Sequence, residues 1–269
     1  MREMNHLDSS KIAFIVCTNN DEYMTECRTY IEALNVPDGM DISIIEVHEA
    51  SSMTSGYNEG MHSTDAKYKI YLHQDVFIIN RDFIFDLLSV FESDESIGMV
   101  GMVGTPYLYK NGTMWYGIRV GNYYKLDQFR KAGQVPKFIP LKKCLCEVEA
   151  IDGLLMATQY DLEWREDLFD KWDFYDVSQS FEFIRAGYRV VVPGTDNSWY
   201  IHDCGIINLD KYDNERIKFL KEYDEFMGMR KNDTFDETKQ KTIQRIKECK
   251  SMDSEPMNKL VSLIEKISD

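Results

Sequence analysis

The chain has 269 residues, 43% hydrophobic and 13% aromatic, which is enough apolar side chain for one large core and too much for a disordered polymer. Its net charge of -15 is unevenly spread: residues 206–269 carry 13 Lys+Arg against 14 Asp+Glu, leaving 18 against 32 in residues 1–205. So acidic a surface excludes a nucleic-acid backbone or an anionic lipid layer as partner, and it would need a cation to hold a phosphate-bearing ligand.

No run of 18 apolar residues occurs, so no membrane span is expected, and the opening MREMNHLDSSKIAFIVCTNND does not read as a signal peptide. Cys17, Cys27, Cys144, Cys146, Cys204 and Cys249 lack the paired spacing of a zinc site. Reduced thiols and a cytoplasmic location are the expectation.

Lys11–Thr18 is a near-continuous apolar run, as in a strand covered on both faces. Tyr23, Cys27, Tyr30, Ile31 and Leu34 then mark one face of a helix, closed by Pro37-Asp38-Gly39. Asp41–Val47 reads as a second strand, Gly56–Asp65 as a short helix and Tyr68–Val76 as a third strand. Asn80 is placed to cap a helix carrying Phe83, Leu87, Leu88 and Phe91, before a fourth strand at Ile97–Val103. This alternation predicts an α/β, Rossmann-like, mostly parallel sheet with its ligand at the carboxyl ends of the strands.

From Thr105 to Leu145 the rhythm changes, and Asn111-Gly112 signals a hairpin turn inside a small antiparallel insertion. Glu147–Thr158 reads as a return to strand. Val177, Phe181, Ile184 and Tyr188 share a helical face that Gly187 ends, and Tyr188–Val192 is another strand. Beyond Ile206 come charged helices with sparse apolar stripes, Ile217, Leu220 and Phe226, then Leu260, Leu263, Ile264 and Ile267. Residues 1–207 are expected to form the main domain, and 208–269 a helical extension that packs on it or makes a homodimer contact.

Three clusters could carry chemistry. Asp75, in His73-Gln74-Asp75-Val76, ends an apolar strand, where it is either a metal-binding carboxylate or the cap of the next turn. Asp176, in Trp172-Asp173-Phe174-Tyr175-Asp176-Val177, opens a helix whose N-terminus should keep it ionised, as a proton acceptor or a simple cap. His202, in Trp199-Tyr200-Ile201-His202-Asp203, is a transition-metal ligand or an ordinary structural histidine.

In order, HQDV at a strand end, Ile151-Asp152-Gly153, FYDVSQSFEFIRAGYRVVVP and then His202 resemble the family 2 glycosyltransferases, and most closely a bacterial glycosyltransferase-like branch. The likeness runs from about Lys11 to His202 and implies a GT-A fold with C-terminal helices added. It implies Asp75 as the last position of a DxD metal motif, His202 as a second metal ligand and Asp176 as the catalytic base. Thr18, Asn19, Glu46, Tyr57, Asn58 and Asp75 would cradle the nucleotide, while Asp152, Gly153 and Trp172 would stand beside the sugar and acceptor. His73 replaces the first Asp of DxD, Tyr175 a common Glu and Ser178 a second Asp.

The implied activity is of hexosyltransferase type. A nucleoside-diphosphate sugar, a UDP-sugar first among them, would give its sugar to a glycan, lipid-linked or protein hydroxyl with inversion, assisted by Mn²⁺ or Mg²⁺. The rival readings are a non-catalytic nucleotide-sugar-binding or scaffold module on the same fold and a sugar nucleotidyltransferase. The second would need a Gly-rich basic loop where Thr18-Asn19-Asn20-Asp21-Glu22 stands.

Overall fold

The structure is a computed structural model that describes residues 7–126, 132–134, 139, 141, 144–203, 209–249 and 252–267. Cys204, the expected boundary at 207 and part of the expected insertion lie outside the described residues.

Strand β1 (Asp8–Thr18) leads into helix α1 (Asp21–Glu32), whose first N–H groups are accepted by the Asn20 side chain. Strand β2 (Asp41–His48) and helix α2 (Met53–His62) follow. Helix α2 starts three residues earlier than the sequence pattern suggests, because Ser52 and Ser55 form a reciprocal capping box. Next come β3 (Ala66–His73), β4 (Val76–Ile78) and helix α3 (Phe83–Ser93). Asp82 occupies the cap position of α3, and the Asn80 side chain accepts from the Asp82 N–H instead of from the helix.

The expected strand over 97–103 is two: β5 (Ile97–Gly101) and β6 (Val103–Thr105) lie in different sheets. Gly101 presses on Ile151, where a Cβ would come within 2.8 Å, and the chain changes sheet at the next residue. Gly112 does make a turn at φ +77°, but the chain continues into a 3₁₀ turn at Met114–Tyr116 and no hairpin forms there. Short strands β7 (Val120–Gly121), β8 (Tyr124–Leu126) and β9 (Ala132–Gln134) build the antiparallel insertion.

The single strand expected over 147–158 is three pieces, β10 (Leu145–Glu147), β11 (Ala150–Ile151) and β12 (Leu155–Thr158). Its breaks fall at Val148-Glu149 and at Asp152-Gly153-Leu154. Helix α4 (Tyr175–Arg185), β13 (Arg189–Pro193) and β14 (Tyr200–His202) follow. Helices α5 (Tyr212–Glu222), α6 (Asp224–Met227), α7 (Phe235–Glu248) and α8 (Ser254–Glu265) close the chain.

The main sheet has the order β10-β13-β5-β12-β3-β1-β2. Five of its seven strands point the same way; β12 and β10 run against them. Alternate residues of β1 feed opposite cores: Ile12, Phe14 and Val16 face one, Ala13 and Ile15 the other, all buried to 1% exposure or less. Two small sheets, β11-β6-β7 and β4-β14-β8-β9, sit at the strand ends. This is the α/β architecture, mostly parallel with antiparallel additions and C-terminal helices, that the resemblance implies.

On α5 the buried positions are Glu215 and Phe219, and Tyr223 just past its end is buried too, whereas Ile217 is 58% exposed. The aromatic pair wins the inward face because its rings pack on Phe181 of α4. Of the expected stripe on the last helix, Leu260 and Ile264 are buried and Ile267 is partly buried, whereas Leu263 is exposed.

Candidate active site

Strand β3 ends at His73, and the turn Gln74-Asp75 carries the chain into β4. Strand β14 pairs antiparallel with β4, with His202 opposite Val76, and the Asp203 N–H donates to the Asp75 carbonyl at 2.9 Å. That pairing brings together two side chains far apart in sequence. His202 Nε2 lies 3.4 Å from one Asp75 carboxylate oxygen, and His73 Nδ1 lies 3.9 Å from the other. One ligand atom from each of the three falls within 4.8 Å of the others. Burial holds the His73 imidazole below its ordinary pKa. For Asp75 burial pushes upward, but the hydrogen bond from His202 and the charges of His73 and His202 outweigh it and keep the carboxylate ionised.

Across the cavity stands the Asp152-Gly153 break. The Gly153 N–H donates to Asp176 Oδ2 at 3.0 Å, and the Val177 N–H to Oδ1 at 2.8 Å. Glycine is required at 153, because a Cβ there would lie 2.2 Å from the Tyr175 hydroxyl. That hydroxyl in turn meets His73 Nε2 at 2.5 Å. Phe174, just ahead of α4, is held in the left-handed region at φ +60°.

The expectation that the helix N-terminus keeps Asp176 fully ionised is corrected here. Burial, and then the charge of Asp152, push its carboxyl up to about 7, against the pull of its two backbone N–H donors. Asp152 is also raised, by burial, despite the Leu154 N–H and the nearby His202, His73 and Arg119.

A cavity of about 450 Å³ gathers His73, Asp75, Asp152, Asp176 and His202, together with Arg119, Trp115, Trp172 and Tyr212. A second, of about 400 Å³, is lined by Thr18, Asn19, Val47, Ala50 and Gln74, and shares His73, Asp75 and Trp172 with the first. The His-Asp-His cluster and the half-exposed Trp172 therefore stand where the two cavities meet. Gln74 locks the loop after β1: its Oε1 accepts from the Thr18 hydroxyl and from the Asn19 and Asn20 N–H groups, at 2.8, 3.0 and 3.0 Å.

Not every expected site residue reaches a cavity. Tyr57 is fully buried among the rings of Tyr71, Trp164 and Tyr175, and the Asn58 amide is spent on the Trp164 backbone at 2.9 and 2.8 Å. Both lie on the inward face of α2, so they support the floor and offer no surface to a nucleotide. Glu46 is paired with Arg28 and His48 and lines neither cavity.

Sequence reading missed Gln74, Arg119 and Trp115, and took His73 only as a missing carboxylate. Arg119 and Trp115 sit in the irregular insertion, where no periodicity points a side chain anywhere; only the fold turns them to the cavity.

No curated protein matches the chain in sequence. Solved structures with a partial likeness include residues 1–349 of S. aureus TarS with UDP, at 11% identity and TM-score 0.44, covering 95% of this chain and 70% of that one. Another structure of S. aureus TarS gives 0.48 at 11% identity, covering 95% of this chain and 43% of that one. The mannosyltransferase PcManGT of Pyrobaculum calidifontis with GDP-Man and Mn²⁺ gives 0.49 at 11% identity, covering 97% of this chain and 77% of that one. With TM-scores below 0.5, these likenesses carry no part of the assignment. A family model described as "Glycosyltransferase like family" matches residues 13–223, and its span contains Asp75, Asp152, Asp176 and His202. The chain belongs to that glycosyltransferase-like family.

Proposed function

We propose that the protein transfers a sugar from a nucleoside-diphosphate sugar, a UDP-sugar first, to an acceptor hydroxyl with inversion at the anomeric carbon. The observation that carries this reading is the carboxyl of Asp176, raised to about 7, on the wall of a cavity that meets a second cavity at His73 and Asp75 of the His-Asp-His cluster. In this reading the nucleotide lies in the second cavity, against the loop of Thr18 and Asn19, and the sugar crosses toward Asp152 and Gly153. Trp172, Trp115 and Tyr212 offer flat aromatic faces to the sugar and acceptor.

Asp176 takes the proton of the acceptor hydroxyl as that oxygen forms its bond to the anomeric carbon. The bond from that carbon to the phosphate oxygen breaks, and the nucleoside diphosphate leaves with both electrons. A carboxyl titrating near 7 suits this work, since a useful fraction is ionised at neutral pH and still basic enough to accept. Arg119 and Lys125, in the same cavity, add positive charge to a wall that also holds Asp75, Asp152, Asp173 and Asp176.

Two imidazoles and one carboxylate suit a divalent transition ion: ligands about 2.1 Å from one ion lie roughly 3–4 Å apart, and Asp75 oxygens stand 3.4 and 3.9 Å from the His202 and His73 nitrogens. Asp75, His202 and His73 would hold it, and such an ion supplies neutralisation of the diphosphate charge. The test is a panel of nucleotide sugars measured by thermal shift and by product formation, each with Mn²⁺ and with EDTA. Stabilisation and turnover with at least one sugar donor support the reading. Binding without turnover or hydrolysis for any donor overturns it in favour of a non-catalytic module.

A further inference from the structure

His73 and Tyr175 are 102 residues apart in the chain and in hydrogen-bond contact at 2.5 Å, through His73 Nε2 and the Tyr175 hydroxyl. An imidazole held at one nitrogen cannot turn, and its other nitrogen, Nδ1, is the one that faces Asp75. The holding group is itself fixed. Tyr175 is 5% exposed, with the Tyr57 and Trp164 rings at 5.9 and 6.4 Å, and its hydroxyl fills the space that Gly153 leaves by lacking a Cβ. A ligating histidine is normally oriented in this way, by an oxygen on its second nitrogen.

We propose that Tyr175 is a positioning residue that makes His73 a third ligand of the divalent ion, so that the site selects a first-row transition ion, Mn²⁺ or Co²⁺, over Mg²⁺. This rests on the metal-assisted reading of the site. Two ring nitrogens beside one carboxylate explain the selectivity: Mg²⁺ prefers oxygen ligands and retained water, whereas imidazole favours transition ions. Because Tyr175 immediately precedes Asp176, the same residue also ties the ion's ligand to the carboxyl that takes the proton.

The experiment is calorimetric titration of the metal-free full chain with MnCl₂, CoCl₂ and MgCl₂, without nucleotide. The wild type should bind Mn²⁺ and Co²⁺ more tightly than Mg²⁺. Tyr175→Phe, which removes only the hydroxyl, should weaken Mn²⁺ and Co²⁺ by about 10–100-fold. It should leave Mg²⁺ nearly unchanged and shift the visible absorption of the Co²⁺-loaded protein. His73→Asp, which exchanges nitrogen for oxygen, should narrow the Mn²⁺/Mg²⁺ ratio whether or not Tyr175→Phe folds. An unchanged Mn²⁺/Mg²⁺ ratio in His73→Asp overturns the proposal. If Asp75→Ala abolishes Mn²⁺ binding while the His73 and Tyr175 variants bind as the wild type, the metal reading survives and this proposal fails. If the wild type binds no metal, both fail.

Discussion

Asp176 accepts two backbone N–H groups and still titrates near 7, because burial and the Asp152 charge act more strongly than those donors. Two consequences follow at this residue. Transfer at low acceptor concentration should rise with pH through about 7 and level off above it; a flat profile between about pH 6 and 8 would exclude Asp176 as the titrating group. Asp176→Asn should lower turnover by roughly 10²–10⁴ while nucleotide binding survives, with Asp173→Asn as the control that keeps most turnover. The stability effect has the opposite sign. With a folded value of about 7 against an ordinary 3.8, the native state binds the extra proton. The carboxyl's contribution to stability is therefore complete below its ordinary pKa and is lost as pH rises through its folded one. Asp176→Asn should accordingly raise the melting temperature at alkaline pH and leave it near wild type in acid. A variant less stable than wild type at pH values above 7 would show that the side chain is mainly a structural cap.

At the scale of elements, the start of α4 is held from both sides. Gly153 lies beneath it, and Phe174, in its left-handed conformation, is packed by the rings of Tyr212 and Phe219 at 4.9 and 5.5 Å. Gly153→Ala puts a methyl against the Tyr175 hydroxyl and should cost about 1–3 kcal/mol in denaturant unfolding, with turnover falling further than stability explains. Wild-type turnover in that variant would show that Tyr175 can move without consequence. Phe219→Ala empties a fully buried ring position that touches α4 through Phe174 and Phe181, and should cost about 3–5 kcal/mol. A cost near zero would mean that α5 is merely laid on the surface.

Across the whole molecule, the C-terminal helices share the core instead of trailing from it. Ile243, Ile246, Leu260, Val261 and Ile264 belong to the same apolar cluster as Ala13, Ile15 and Met156 of the main sheet. Glu149, 3% exposed, is gripped by Arg230 at 2.6 and 2.9 Å and by Arg245 at 2.8 Å. We propose that residues 208–269 fold with the rest as one unit. Glu149→Ala, which strands two arginines, should then cost about 3–5 kcal/mol in a single transition. Limited proteolysis should leave the C-terminal helices intact, and their early loss with activity retained would refute the proposal. Among the described residues, no helix is long and apolar enough to cross a membrane.

Period and composition alone determined the alternation of strands and helices through Ile97, and the placing of Asp75 and Asp176 at element ends, because burial of apolar faces imposes those patterns locally. Element breaks at Met102 and Asp152-Gly153 were not legible, since each depends on which sheet a short strand joins. Nor could the sequence tell that Tyr57 and Asn58 face inward, as helix α2 has few strongly polar positions to mark its outer side. The meeting of His73, Asp75 and His202 was decided by the β4–β14 pairing, and the late titration of Asp176 by its burial and then by its neighbour Asp152. Both are consequences of long-range contacts, and a carboxyl's environment is a property of the space around it, which no spacing in the chain records.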